Sequence, residues 1–161
     1  TLFSQIMNPY EALNLPFRTS EENFSRPWGG YVRIDESQTA EFIARYFPEE
    51  AAALLEVQST LSPKLLFVEP GKRLSWQYHH RRAEIWTVVD GPVGIARSLT
   101  DAETPVEPCA AGERIVFAAG ERHRLVGLDQ RGVVAELWRH LDPQHPSDEE
   151  DIVRLQDDFG R

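Results

Sequence analysis

From Pro63 onward the chain is a succession of short apolar segments separated by glycine and proline turns, which constrains the fold more than any other feature. Residues 65–68 and 84–89 are rich in β-branched and aromatic side chains, which favour strands. Pro70-Gly71 and Asp90-Gly91-Pro92 interrupt these segments with turn signals. Many short strands at regular spacing predict an all-β sandwich or barrel.

The predicted strands extend over most of the chain. They are residues 31–34, 65–68, 73–78, 84–89, 93–98, 114–117, 123–126 and 133–138. Residues 99–108 are acidic and rich in threonine, which predicts a loop or an edge strand.

Two segments have helical rather than β-type patterns. Residues 37–57 place apolar side chains at helical spacing, with Pro48 dividing two helices and Ser37 or Thr39 as the cap of the first. Residues 148–158 predict a C-terminal helix capped by Ser147. Residues 1–25 are mixed and polar, which predicts an N-terminal arm with at most a short helix.

Composition limits the classes of function. The 161 residues carry a formal net charge of −9, which argues against a nucleic-acid partner. No apolar run approaches membrane-spanning length and no signal peptide is evident, so we expect a cytoplasmic protein with no membrane partner. The single cysteine, Cys109, excludes an intrachain disulfide.

Four side chains form a candidate metal-binding set. Gln77 and His79 lie two residues apart and therefore project from the same face of a strand. Glu84 follows a short polar break, and His123 lies on a later strand. Two imidazoles, a carboxylate and an amide oxygen suit a divalent metal with coordination positions left for substrate.

Basic residues flank these candidate ligands in an otherwise acidic chain. One cluster runs from Arg73 to Arg82 and the other from Arg122 to Arg124. Each cluster can be a solvated turn, or both can line one anionic-substrate site. Their position beside the two ligand regions favours the second interpretation.

The spacing of these residues resembles the two motifs of the cupin superfamily. The first is Gly71, five residues, Gln77-x-His79, four residues, Glu84, six residues, Gly91. The second is Gly112, five residues, Ala118-x-Gly120, two residues, His123. Gln77 replaces the usual histidine and Ala118 the usual proline. The Gln-x-His opening resembles phosphomannose isomerases.

Longer blocks resemble the C-terminal cupin domain of type II mannose-6-phosphate isomerases. They are Arg26-Pro27-Trp28-Gly29, Gln77-x-His79-His80-Arg81-x-Ala83-Glu84-x-Trp86, Gly120-x-x-His123-Arg124-Leu125 and Glu150-Asp151-Ile152-Val153-Arg154. The resemblance implies one cupin domain over 1–161, a double-stranded β-helix (jelly-roll barrel). Its parts are the arm 1–25, a helical insert 37–57, the core 63–141, and a helix and tail 147–161.

The resemblance also implies a homodimer that isomerises a phosphorylated sugar, most simply mannose 6-phosphate to fructose 6-phosphate. One divalent metal is expected, zinc first, with manganese, iron, cobalt or nickel also accepted by the ligand set. An isomerase or epimerase for another phosphosugar, such as a heptose phosphate, is the alternative, with a pocket size set by the insert. A non-catalytic sugar-binding cupin is the third hypothesis.

Six further residues are candidates for substrate binding or catalysis. Arg154 resembles a family arginine proposed to meet substrate, or else pairs with Glu150. Glu136 is a candidate general base, or else a solvent-facing carboxylate. The other four are substrate-binding candidates. Arg73 and Ser75 share the ligand face of their strand, where Arg73 could bind phosphate and Ser75 could bind substrate or simply pack. Lys64 and Arg124 could assist phosphate binding, or else are solvated surface residues.

Overall fold

Antiparallel strands build the fold in the computed structural model, which describes residues 7–56 and 60–161. The strands are β1 Thr19–Arg26, β2 Gly29–Ile34, β3 Lys64–Val68, β4 Trp76–Tyr78, β5 Arg82–Asp90, β6 Val93–Ser98, β7 Glu107–Cys109, β8 Arg114–Phe117, β9 Arg122–Val126, β10 Gly132–His140 and β11 Val153–Gln156.

These strands form two sheets. One has the order β1-β2-β3-β10-β5-β8, and the other has the order β11-β4-β9-β6-β7. The predicted all-β, jelly-roll class is confirmed. The predicted strands recur with boundary shifts, and the segment 99–108 runs into the edge strand β7.

Strand β10 explains how the interior is divided. Its residues 132–138 are buried without alternation, as expected for a strand covered on both faces. Val133, Ala135 and Leu137 pack in one apolar cluster with Phe42 of the helical insert. Residues 134, 136 and 138 point the other way, into the space between the two sheets. Glu136 therefore reaches the interior.

The helical insert forms two short helices, α1 Thr39–Tyr46 and α2 Ala51–Leu55. The break at Pro48 is confirmed, while the predicted end at Val57 lies outside the described residues. Neither predicted residue caps α1, because Gln38 occupies the cap position without a side-chain bond. Neither these helices nor any other described helix has the length and apolar composition needed to cross a membrane.

The predicted C-terminal helix is wrong. The segment forms β11, which pairs with β4 at the edge of the second sheet. Ser147 does not cap a helix, since its hydroxyl donates to the Asp151 carboxylate at 2.6 Å. A short, exposed helix without tertiary packing is only marginally stable in water. Pairing with the open edge of β4 gives the backbone of this polar segment hydrogen-bond partners in the sheet.

The predicted N-terminal arm also contains a strand, β1, whose hairpin with β2 was not expected. Its polar composition follows from its position at the exposed edge of the sheet. The turn requires Gly29, because its φ is +146° and a Cβ there would lie 1.9 Å from the carbonyl oxygen of Phe67. Residues 1–6 lie outside the described part of the chain.

Candidate metal centre

Three buried side chains converge between the sheets, and we call His79, Glu84 and His123 the metal centre. Their exposed fractions are 2%, 2% and 1%. Glu84 Oε2 lies 3.3 Å from His79 Nε2, and Glu84 Oε1 lies 3.1 Å from His123 Nε2. One donor atom from each residue lies within 4.8 Å of the others, which suits a single ion with bonds of about 2 Å.

Three different strands position these ligands. His79 directly follows β4, Glu84 lies on β5, which pairs with β10 and β8, and His123 lies on β9. The Cα of His123 pairs with that of Gln77 across β4 and β9. The ring of His123 stacks on Phe117 with 4.7 Å between centroids, so its orientation is fixed by packing.

Backbone carbonyls orient both imidazoles. His79 Nδ1 lies 2.7 Å from the carbonyl oxygen of Asp151, and His123 Nδ1 lies 3.0 Å from that of Glu121. A carbonyl only accepts, so each Nδ1 carries the proton and each neutral ring keeps a lone pair on Nε2. This is the outer-shell arrangement that metal-ligating histidines adopt.

The charges of the centre also suit a cation. Burial lowers the pKa of His79 to about 4, so this ring is neutral near pH 7. Burial acts to lower the pKa of His123 as well, but the adjacent Glu84 carboxylate outweighs it and raises that pKa. Although burial opposes ionisation of Glu84, His79 and Arg82 lower its pKa well below the ordinary value. Glu84 is therefore an anion.

Two atoms of the centre are buried polar groups without a hydrogen bond. Glu84 Oε1 and His123 Nε2 lie 3.1 Å apart, but with the His123 proton on Nδ1 both atoms are acceptors, so neither has a hydrogen-bond partner within the described residues. An unsatisfied buried polar group costs about 1–3 kcal/mol. A divalent cation would satisfy both atoms, and the nitrogen and oxygen donors match those that zinc and related metals accept. The residues thus fit a metal ion.

Gln77 and Ser75 lie beside the centre. Gln77 lines the pocket that opens from the metal centre, and its Oε1 accepts a hydrogen bond from Ser75 Oγ at 2.8 Å. Ser75 is 1% exposed and does not line the pocket, so the structure places it behind Gln77. Gln77 as the fourth ligand stays a prediction.

Arg82 is a site residue that was not identified individually from the sequence. Its Nε donates to Glu84 Oε2 at 2.9 Å, and its guanidinium stacks 3.7 Å from the ring of Trp138. Nη1 donates to Ser147 Oγ at 2.8 Å. Arg82 shares strand parity with Glu84 on β5, and this parity was the available signal.

A pocket opens from the metal centre toward solvent. Its charged lining comprises five cations and three carboxylates in a chain that is acidic as a whole. These residues are Arg26, Lys64, Arg82, Arg154, Arg161, Glu84, Glu136 and Glu149. The wall includes the apolar side chains Trp28, Leu66, Leu74 and Trp86.

Glu136 lies in this pocket and is 5% exposed, so it is not a solvent-facing carboxylate. Its two oxygens accept hydrogen bonds from the indole nitrogens of Trp86 at 2.9 Å and Trp138 at 3.0 Å. Burial, followed by the negative charge of Glu84, raises the pKa of Glu136 to about 7. This carboxyl can therefore exchange a proton near neutral pH.

Lys64, a substrate-binding candidate, and Arg154, a candidate catalytic residue, also lie in the pocket, and both roles stay predictions. Lys64 is buried and its Nζ contacts Glu149 Oε1 at 2.7 Å. Arg154 lies on β11 opposite Gln77, and its alternative ion pair with Glu150 is not formed in the described structure.

Arg73 and Arg124 lie away from the pocket lining. Arg73 forms two hydrogen bonds with the Asp158 carboxylate, at 2.7 and 2.8 Å. Arg124 is 1% exposed and donates to the carbonyl of Leu74 and to Glu103. Strand parity placed Arg73 on the ligand face, but β4 begins only at Trp76, so that parity does not extend to residue 73.

Comparison with known proteins identifies related sequences. Residues 43–157 match the model of the family described as Mannose-6-phosphate isomerase C-terminal. The xanthan biosynthesis protein XanB of Xanthomonas campestris is 27% identical over 141 residues, covering 84% of this chain and 23% of that protein. The mannose-1-phosphate guanylyltransferase ManC of Salmonella typhimurium is 31% identical over 136 residues, covering 84% and 22%. The chain thus spans less than a quarter of these relatives.

Solved structures share the fold at low sequence identity. The capsular polysaccharide assembling protein CapF of Staphylococcus aureus superposes with a TM-score of 0.57 and 15% identity, covering 84% of this chain and 34% of that one. An oxalate decarboxylase of Bacillus subtilis gives 0.56 and 13%, covering 84% and 30%. At these identities the similarity establishes the cupin fold.

Proposed function

The chain belongs to the family of mannose-6-phosphate isomerase C-terminal domains, and from this we propose that it is a metal-dependent isomerase interconverting mannose 6-phosphate and fructose 6-phosphate. The observation that supports this most is the position of Glu136 and the metal centre in one pocket with a cationic lining. An aldose–ketose isomerase needs these three components: a base, a means of stabilising oxygen charge, and a site for phosphate.

The metal would be held by His79, Glu84 and His123, with Gln77 as the candidate fourth ligand. Zinc is the first expectation, and manganese, iron, cobalt or nickel also suit these donors. When bound, the ion would supply Lewis-acid stabilisation of negative charge on the substrate oxygens.

Glu136 is the proposed general base. In its ionised form it removes the proton from the hydroxyl-bearing carbon beside the carbonyl and then returns that proton to the former carbonyl carbon. The hydroxyl proton passes to the former carbonyl oxygen, so that the new carbonyl forms on the carbon that carried the hydroxyl. The two indole N–H donors hold its carboxylate in one orientation. A pKa of about 7 lets the group accept and release a proton at neutral pH without a large penalty in either direction.

Arg82 is a positioning residue in this scheme. Its bond to Glu84 Oε2 and its stacking on Trp138 fix the carboxylate relative to the two histidines. Because the guanidinium is itself anchored by Ser147 and by the carbonyl of Asp148, it cannot turn toward solvent without breaking several hydrogen bonds.

Metal analysis of the purified protein, coupled to a mannose 6-phosphate to fructose 6-phosphate assay with and without chelator, tests this function. We expect about one divalent metal per chain and turnover that disappears with chelator and returns on metal addition. Bound metal without turnover on this sugar would contradict the assignment. Absence of metal after reloading would contradict the ligand assignment as well.

A phosphosugar panel that includes a heptose phosphate addresses the alternative substrate. None of residues 37–56 lines the pocket, because the insert packs on the outer face of β10. The described part of the insert therefore does not support the hypothesis that these helices determine the size of the pocket. Turnover of the heptose phosphate alone would favour the alternative.

A further inference from the structure

We propose that Arg26, Arg154 and Arg161, which we call the arginine rim, form the subsite that binds the phosphate group of the substrate. The identity of the sugar rests on the proposed function, whereas the phosphate subsite rests on the pocket itself. This assignment replaces Arg73 and Arg124, which lie outside the pocket.

Two distant parts of the chain bring the rim together. Arg26 ends β1, Arg154 lies on β11 opposite Gln77, and Arg161 is the last residue of the sequence. All three residues are exposed as whole residues, although the Arg161 side chain itself is 24% exposed, and they line the same pocket as His79 and Glu84. A phosphate entering this pocket would therefore meet three guanidinium groups, which suit phosphate oxygens through bidentate hydrogen bonds.

Among the described residues, two of the three rim arginines, Arg26 and Arg154, lack the ion pairs that the other pocket cations form, whereas Arg161 pairs with Asp157 at 2.9 Å. Lys64 is neutralised by Glu149, and Arg82 by Glu84. Within residues 7–56 and 60–161, Arg26 and Arg154 form no ion pair with a carboxylate. Arg26 instead lies over the ring of Tyr31, 5.7 Å from its centroid.

The three charges also act on one another. Burial lowers the pKa of Arg154, and the positive charges of Arg161 and Arg26 lower it further, against the opposing effect of Asp157. Like charges held together raise the free energy of the ligand-free state. A phosphate dianion would turn this repulsion into attraction.

Two acidic groups near the rim, Asp157 and Glu149, are themselves bound by cations. Asp157 accepts the Nε–H of Arg161 at 2.9 Å, which orients that guanidinium. Glu149 lines the pocket, but its carboxylate is bound by Lys64 and Arg33. The indole nitrogen of Trp28 is a buried donor with no acceptor among the described residues, so a ligand oxygen nearby would satisfy it.

The test compares Arg26→Gln, Arg154→Gln and Arg161→Gln with two controls of equal charge change. Arg73→Gln removes the arginine bound to Asp158, and Arg131→Gln removes one bound to Glu69 outside the pocket. Isothermal titration calorimetry measures binding of mannose 6-phosphate and mannose to zinc-loaded protein. Inorganic phosphate is titrated into chelator-treated protein, so that no anion can bind through the metal.

We expect each rim substitution to weaken binding of mannose 6-phosphate and inorganic phosphate about tenfold, since each removes a charged hydrogen-bond donor to phosphate. Affinity for mannose and zinc should change less than about twofold, and both controls should match the wild type. Thermal melts confirm that these exposed substitutions leave the fold intact.

The outcomes separate this subsite from the proposed function. Rim-dependent binding of phosphate without isomerase turnover supports the subsite and contradicts the function. If the protein turns over the sugar but the rim variants bind mannose 6-phosphate as tightly as the wild type, the subsite is overturned and the proposed function stands. An equal loss in Arg73→Gln, or a wild type that binds neither phosphate nor phosphosugar, also overturns the subsite.

Discussion

The metal centre and the arginine rim are built in opposite ways. The metal centre is almost fully buried, and backbone carbonyls or packed rings orient its imidazoles. The arginine rim is exposed and comes from both ends of the chain. The first region fixes three atoms for an ion, whereas the second offers exposed positive charges to a phosphate.

The difference suits two separate tasks within one pocket, namely holding a metal ion and binding a phosphate group. Rigid, desolvated groups hold geometry that a displacement of about 1 Å would spoil. Long exposed side chains lose less affinity from small shifts, and their charges attract an anion over a range of about 8–10 Å at moderate salt. Substitutions should therefore have large effects in the metal centre and graded effects at the rim.

The largest expected effect is loss of a ligand. His79→Gln should lower metal affinity at least about 100-fold and reduce isomerase activity to background, because a buried imidazole donor disappears. Competition with a chelating dye measures the affinity. His145→Gln is the matched control, since His145 is exposed and pairs only with Asp142. If the His79 variant still bound one metal per chain, His79 would not be a required ligand, and the expected difference in sensitivity between the metal centre and the arginine rim would be contradicted.

The next effect tests Glu136, which lies in the pocket but in neither region. Glu136→Gln should lower kcat about 10²- to 10⁴-fold while metal and mannose 6-phosphate affinities stay close to the wild type. Steady-state kinetics and calorimetry separate these quantities, with the exposed Glu41→Gln as control. A fall in affinity with unchanged kcat would make Glu136 a binding residue.

The pH dependence follows from the raised pKa of Glu136. The ionised form is the base, so the rate should rise with pH through about 7, and Glu136→Gln should lose this limb. Because the folded pKa lies above the unfolded value of 4.5, this group stabilises the fold below about pH 4.5. That contribution is lost as pH rises through about 7. Rate profiles across this pH range check that activity rises with pH, and thermal melts check that stability falls with pH.

A smaller effect is expected at Asp151, which contacts His79 of the metal centre through its backbone carbonyl. Its carboxylate accepts the backbone N–H groups of His80 and Arg81, and its carbonyl orients His79. Asp151→Asn should lower metal affinity about 10-fold and stability by about 1–3 kcal/mol. Dye competition and denaturant melts measure these changes, with the exposed Asp142→Asn as control. Unchanged metal affinity would mean that the carboxylate only stabilises the turn.

The smallest effect is expected at Arg73, outside both regions. Arg73→Gln should change stability by less than about 1 kcal/mol, because its partner Asp158 is also partly exposed. The KM for mannose 6-phosphate should stay within about twofold. A large rise in KM would move the phosphate subsite to Arg73.

The metal centre was predictable because its members lie within motifs of fixed spacing. Gln77 and His79 share strand parity, and Glu84 and His123 complete the two motifs. The helices on either side of Pro48 and most core strands followed from apolar periodicity in the same way. Local patterns of this kind are read directly from the chain.

Segments that depend on distant partners were not predictable. Residues 153–156 became a strand because the edge of β4 was available, and β1 formed as the hairpin partner of β2. Arg73 left the pocket because β4 starts three residues later. Helical or strand propensity in a polar segment is too weak to compete with such tertiary pairing.

The sequence by itself determined the all-β class, which depends on patterns within short stretches, and the residues of the metal centre, whose spacing resembles the motifs of a known family. Only the tertiary structure decided that Glu136 is buried beside two indoles and that Arg26, Arg154 and Arg161 line one pocket. Burial raises the pKa of a carboxyl group. The cluster of positive charges at the rim contains residues more than a hundred positions apart in the sequence. Both depend on distances in space, which separation along the chain does not specify.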